Sequence, residues 1–270
     1  VVIKRIDKDI ESTNEEIALQ EAHDRKEYVK VLKKLNEAVA FGQVDDIESA
    51  LAAGMEAMKN SPQDNSNEIV DLHLNAASKF LVFAELEHAI RYFEKACELQ
   101  RELTGPVHEK FAECLNELGY AHHLADNHDK AIACHENALT IYTRTLGAGR
   151  LEVGLTENAI GLARVGKGEY EQAVKQHFHA LPVLVKNFGE HYPSVAATYS
   201  NIAVALSGMG QYERSLEYHE KAIAIDTAFF GKHHKSVVIY NNLYGLALYQ
   251  LGRMDDAIDS FKKSLDTAEK

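Results

Sequence analysis

Histidine–glutamate pairs stand at His108–Glu109, His135–Glu136 and His219–Glu220. A helix that binds zinc and activates water for peptide hydrolysis carries a second histidine four residues after the first, so that both imidazoles reach one ion. Those places hold Ala112, Leu139 and Ile223, and no pair completes the set. Gly161, Gly166 and Lys167 come close to spelling a phosphate loop. Gly168 stands where a hydroxyl would meet magnesium, and the surroundings read as helix and turn with no strand before them. Cys97, Cys114 and Cys134 are odd in number, lack C-x-x-C spacing and fall at helix-packing positions. Nothing assembles acid, base and oxyanion donors. The chain reads as no enzyme, with no cofactor and no metal.

Two polar residue types recur without forming such a site. His135, His177 and His219 lie 42 residues apart, in a place where Phe93 and Phe261 stand in other units. That exchange implies a packing role, with one ring nitrogen bonded and the ring half buried. Successive members lie about 10 Å apart, too far to share a metal. A groove that responds to pH is the other reading, because histidine titrates near neutrality. Asparagine recurs at Asn116, Asn158 and Asn242, with Ser200 at the intervening place.

The elements behind these residues follow one period. Gly105, Gly147, Gly189 and Gly231 are 42 apart without slippage. Three small-residue series share that interval: Ala89, Ala131, Ala173, Ser215 and Ala257; Ala96, Ala138, Ala180, Ala222 and Ser264; Ala77, Gly119, Gly161, Ala203 and Gly245. Each unit reads as helix, tight turn, helix, loop. Small residues let two helices approach, and Ile202, Leu206 and Ile223 fill the space on either side. Five units are clear, at about 66–105, 108–147, 150–189, 193–231 and 235–270. A weaker one precedes them over 42–65, with Gly42, Val44, Ile47 and Gly54 in register. Residues 1–41 form an N-terminal extension in which Glu11–Phe41, free of proline and glycine, reads as one long helix. Pro182 falls inside a second helix, where a kink is expected.

Composition agrees with this picture. The chain has 270 residues, 46% hydrophobic and 26% charged, with four prolines. A formal charge of −12 leaves no basic face for nucleic acid and disfavours an anionic membrane. No apolar run is long enough to span a bilayer and no signal peptide opens the chain, which points to a cytoplasmic protein. Residue 1 is valine rather than methionine, so the chain reads as a fragment that can lack a targeting segment.

The pattern small–x11–small–x6–small, with an aromatic near the turn at Tyr170 and Tyr212, resembles the tetratricopeptide repeat. The 42-residue period resembles the kinesin light chain subgroup. The residues nearest to it are FGEHYPSVAATYSNIAVAL, Phe188–Leu206, and FFGKHHKSVVIYNNLYGLAL, Phe229–Leu248. The resemblance covers about 66–270. It implies an all-α right-handed superhelical solenoid of about six antiparallel helix pairs whose first helices line a concave groove. It also suggests cargo adaptation for a microtubule motor, with a cytoskeletal association.

On those first helices one stripe carries Asn116, Tyr120 and His123, then Asn158, Leu162 and Val165, then Ser200, Val204 and Ser207, then Asn242, Leu246 and Tyr249; Asn201 lies beside it. An amide both donates and accepts, so one per repeat would match an extended peptide at every third residue. Solvated amides, or amides that tie a helix to its neighbour, are the plainer reading. The stripe holds no lysine or arginine, against a basic clamp for carboxylate tails. The expected function is a scaffold or adaptor that binds a peptide segment of a protein partner in its groove. The alternative is a regulatory or oligomerising arm of a larger protein, forming a homodimer through the final stripe of Ile258, Phe261 and Leu265.

Overall fold

In the computed structural model, residues 44–59 and 66–268 are described, together with Lys26, Lys30, Lys33, Lys34 and Glu37, which are helical. The long helix expected over 11–41 lies otherwise outside the described residues. Apart from those five residues, the described residues form eleven helices and no strand. They are α1 (Val44–Lys59), α2 (Ser66–Val82), α3 (Leu86–Thr104), α4 (Glu109–Leu124), α5 (His128–Thr145), α6 (Leu151–Lys167), α7 (Tyr170–Phe188), α8 (Pro193–Gly208), α9 (Tyr212–Phe230), α10 (Lys235–Gln250) and α11 (Met254–Ala268). None is long and apolar enough to cross a membrane. The fold class is that of an all-α solenoid of helix pairs. The chain divides into two compact units, residues 1–106 and 107–270.

In the first unit α2 packs on α3 and α1 packs on α2. Phe80 and Phe93 are fully buried beside Ala77, Ala89 and Ala96. Arg91 and Tyr92 of α3 reach back to the carboxylate of Glu48 on α1. In register, α1 corresponds to a second helix: Ile47, fully buried, occupies the place of Ala89.

The second unit holds the pairs α4/α5, α6/α7, α8/α9 and α10/α11, and each pair also packs on the next. The small-residue positions do what their size predicts. A Cβ at Gly161 would stand 2.5 Å from the His177 ring, one at Gly119 2.7 Å from His135, and one at Gly245 2.7 Å from Phe261. Pairs dock on one another through the aromatic at the turn: a Cβ at Gly208 would meet the Tyr170 ring at 2.5 Å, and one at Gly166 the His128 ring at 2.4 Å. Pro182 lies within α7, which runs on to Phe188.

The turn inside every pair has one geometry. Ala84, Asp126, Gly168, Gly210 and Gly252, again 42 apart, all have positive φ. The next residue donates its N–H to the carbonyl five places back, as in Glu85 to Phe80 (3.0 Å), Gln211 to Leu206 (2.9 Å) and Arg253 to Leu248 (3.0 Å). This left-handed cap satisfies carbonyls that the helix end leaves open. The loop between pairs turns at a second periodic place. Gly105, Gly189 and Gly231 combine φ of 86°, 89° and 87° with ψ of 171°, 159° and 162°.

Candidate functional site

Within residues 107–270 the first helices form the inner wall. Helices α4, α6 and α8 each approach the next first helix, α6, α8 and α10 in turn, whereas the second helices of successive pairs make no comparable contact. Elements crowd on the inside of a curve and spread on the outside. On α4 the Glu117 side chain is solvent-exposed, yet surrounding protein raises its carboxyl pKa, helped by Glu113.

The asparagines do not open onto that wall as expected. The carbonyl of Asn116 accepts from His135 Nδ1 at 2.9 Å, and its Nδ2 donates to Thr156 Oγ1 at 2.7 Å. Thr156 passes the chain of bonds on, donating to the carbonyl of Glu152 at 2.7 Å. Asn158 Oδ1 accepts from His177 Nδ1 at 2.7 Å. Because an amide oxygen only accepts, these bonds place the proton of both imidazoles on Nδ1. Asn116 and Asn158 therefore tie first helix to second helix. Ser200 is buried, and Asn242 alone of the four is exposed. Two amides of the expected column, Asn116 and Asn158, are thus already engaged within the repeats. The physical reason is rotation: on these helices the first residue of the expected stripe turns toward the partner helix.

The open stripe begins one residue later or three earlier, and includes side chains the sequence reading did not select. On α4 it is Glu113, Glu117 and Tyr120; on α6, Leu155 and Leu162; on α8, Asn201 and Val204; on α10, Ile239, Leu246 and Tyr249. Tyr120, Leu155, Ile239, Leu246 and Tyr249 are about half exposed, while Leu162, Asn201 and Val204 are partly covered. His123 is not free, since its ring packs 5.5 Å from that of His128 and burial lowers its pKa. The stripe is acidic at its start. Burial raises the pKa of Glu113, and Glu109 beside it acts the same way, as does Glu152 from α6 more weakly. Glu113, Leu155 and Ile239 were legible in principle as a second 42-residue register, three residues before the asparagines, and Glu117 and Asn201 as a third, one residue after them.

The periodic histidines are core residues. His135, His177 and His219 are 3%, 0% and 1% exposed. Burial pushes each down to about 4, for His135 with a small addition from His123. In the α8/α9 pair Ser200 replaces the asparagine, and His219 Nδ1 is left buried without a partner. Two further histidines cap first helices: His108 and His234 accept through Nδ1 from the N–H two residues on, at 3.2 and 3.3 Å. Among the described residues no group of three histidine, cysteine or acidic side chains is placed to hold a metal ion. On α11, Ile258 and Leu265 are exposed, but the Phe261 ring is used inside, over Gly245.

No curated protein matches the sequence significantly. Among solved structures, the chain superposes on the Podosopora anserina putative kinesin light chain with nearly identical TPR-like repeats. The TM-score is 0.64 at 17% identity, covering 76% of this chain and 96% of that one. It also superposes on BtubC from P. vanneervenii, with TM-score 0.62, 17% identity and 90% of each chain covered. The apo quorum sensor NprR from B. thuringiensis gives TM-score 0.69 at 16% identity, covering 97% of this chain and 72% of that one. These likenesses are of fold. The tetratricopeptide repeat family profile matches residues 110–184 and 194–270, more than half of the sequence. With helix pairs, small-residue crossings and turn caps all in one 42-residue register, the chain belongs to the tetratricopeptide repeat family.

Proposed function

We propose that this protein is a protein–protein interaction scaffold that holds an extended segment of a partner on the inner wall of residues 107–270. The observation that carries this reading is the row of half-exposed apolar side chains, Tyr120, Leu155, Ile239, Leu246 and Tyr249, on first helices of one wall. Apolar groups left open along a concave wall favour a ligand that covers them. Asn201 and Asn242 supply amides between them. The Glu113–Glu117 end favours a basic residue in the segment, and the Leu246–Tyr249 end favours apolar ones. Four first helices about 10 Å apart span about nine extended residues. One structural neighbour, a Rap protein, was solved complexed with competence and sporulation factor. Cargo adaptation for a kinesin-type motor is the specific form that the kinesin light chain likeness favours.

Selection from a displayed library of random nonapeptides tests the reading. Recovered peptides should share a basic end and an apolar end. Leu246→Glu with Tyr249→Glu should abolish capture without changing the melting temperature, and Glu113→Lys with Glu117→Lys should select against the basic end. Capture that ignores both variants would move the site off this wall. A second reading, self-association, rests on the exposure of Ile258 and Leu265 on α11. A dimer in solution that Ile258→Glu with Leu265→Glu dissociates would favour it.

A further inference from the structure

The outer side of the second unit holds a hollow that its own repeats explain. Between α7 and α9, over α8, the space is filled by aromatic rings. Phe178 and Tyr218 meet edge to face at 5.8 Å, and Tyr199 lies 6.0 Å from Tyr218. Lys221 stands over this group, 4.8 Å from the Tyr218 ring and 5.5 Å from Tyr199. One period later, between α9 and α11, the three rings are replaced by Glu220, Asn241 and Ser260, while the lysine recurs as Lys263. The result is a hollow of about 500 Å³, floored by Ile223, Ala224 and Tyr244. Its polar groups are already ordered. Tyr244 donates to Glu220 at 2.8 Å, Asn241 donates to the Val237 carbonyl at 2.9 Å, and Ser260 donates to the Asn241 carbonyl at 2.8 Å.

We propose that this hollow is a second binding site, separate from the inner wall, which receives an aromatic side chain presented by a partner protein. Two features select that occupant. The chain itself packs phenylalanine and tyrosine rings in the same frame one repeat earlier, so the helix spacing suits rings. Lys263 brings a positive charge to the rim, which complements the negative face of a ring as Lys221 does for Tyr218 and Tyr199. The hollow opens to solvent along the outer face, so a ring carried on a backbone can enter without the backbone being engulfed.

The test uses p-cresol, the tyrosine side chain without its backbone, followed by amide and methyl chemical shifts of the protein. Saturable shifts are expected at Ala224, Thr227 and Tyr244. The saturated analogue 4-methylcyclohexanol, which keeps the ring but not its π face, should bind several-fold more weakly, and Lys263→Met should narrow that difference. Ser260→Tyr restores the ring that the period places there and should abolish the shifts while leaving the protein folded. Ala224→Phe, on the exposed face of α9, fills the hollow from the other side and serves if Ser260→Tyr does not fold. N-acetyl-tyrosine methylamide should bind at least as well as p-cresol. Shifts that do not saturate, or that survive both filling variants, overturn the site. Binding of p-cresol without binding of the blocked tyrosine overturns the protein partner in favour of a free aromatic molecule.

Discussion

The pairs α6/α7 and α8/α9 are built on the same frame, and each buries one histidine at the same place. Around that histidine two differences matter. In the first, Gly161 leaves room for the His177 ring to press against the helix backbone, and Asn158 meets its Nδ1 at 2.7 Å. In the second, Ala203 and Ser200 take those places, and His219 keeps an unpartnered Nδ1. His177 in turn leaves its Nε2 buried without a partner. Space and an acceptor are what the facing helix can offer a buried imidazole at this crossing; a glycine and an asparagine three residues apart provide both to His177, whereas His219 is buried without that acceptor. The α4/α5 pair, with Gly119, Asn116 and His135, repeats the first arrangement.

Acid should strain both arrangements most. Each periodic histidine has its pKa lowered by burial from 6.5 to about 4. Between those values the unfolded chain binds a proton that the folded chain does not, so stability is full above pH 6.5 and falls as pH drops toward 4. The loss approaches about 3 kcal/mol per histidine by pH 4, and is about 1 kcal/mol each between pH 7.5 and 5.5. Glu113, Glu117 and Glu157, whose pKa values are raised by burial, oppose this weakly. Urea melts across that pH range check the slope. His177→Phe and His219→Phe should each remove their own share.

Gly161→Ala should cost about 2 kcal/mol or more, since the added methyl meets a ring that cannot move without breaking its bond to Asn158. Ala203→Gly, the reverse change in the sister pair, should cost only about 1 kcal/mol, the helix-propensity difference. Equal losses would show that the two crossings are packed alike. The phenylalanine exchanges at pH 7.5 sharpen the comparison further. His177→Phe leaves the Asn158 oxygen without its donor and should cost about 1–2 kcal/mol. His219→Phe removes an unsatisfied nitrogen and should be neutral or stabilising. At the small end, Ala84→Gly should stabilise by up to about 1 kcal/mol, because Ala84 holds a φ of 58° that alanine disfavours. Thermal melting of the single variant decides it.

How much of this could be read beforehand depends on what kind of contact each residue makes. The helix pairs were legible because their crossings are set by size alone, and Gly119, Gly161 and Ala203 advertise size. The packing role of His135 and His177 was legible because Phe93 and Phe261 occupy the same place. The open stripe was legible only in part: Tyr120, Leu246 and Tyr249 were named from the sequence, but its edge was not, because neighbouring residues on a helix point about 100° apart. Whether Asn116 or Glu117 faces the groove follows from how the pair is rotated, which no single residue reveals. The turn series hid behind Ala84 and Asp126, which are not glycine though they adopt a glycine-like angle. The hollow between α9 and α11 shows only when Ser260 and Asn241 are set beside Tyr218 and Tyr199 in three dimensions.

The glycines that join one pair to the next hold a backbone conformation essentially closed to other residues. The helices that end at Gly105, Gly189 and Gly231 therefore close on one and the same joint. A stretch copied from one such glycine to the next carries matching ends, so an added copy would meet both neighbours at a geometry they already use. An insertion of any other length would break the register. The chain is in this sense a copyable unit: its length can change in steps of one repeat while the surface of each rung diverges, as the filled and empty outer spaces beside α8 and α10 illustrate.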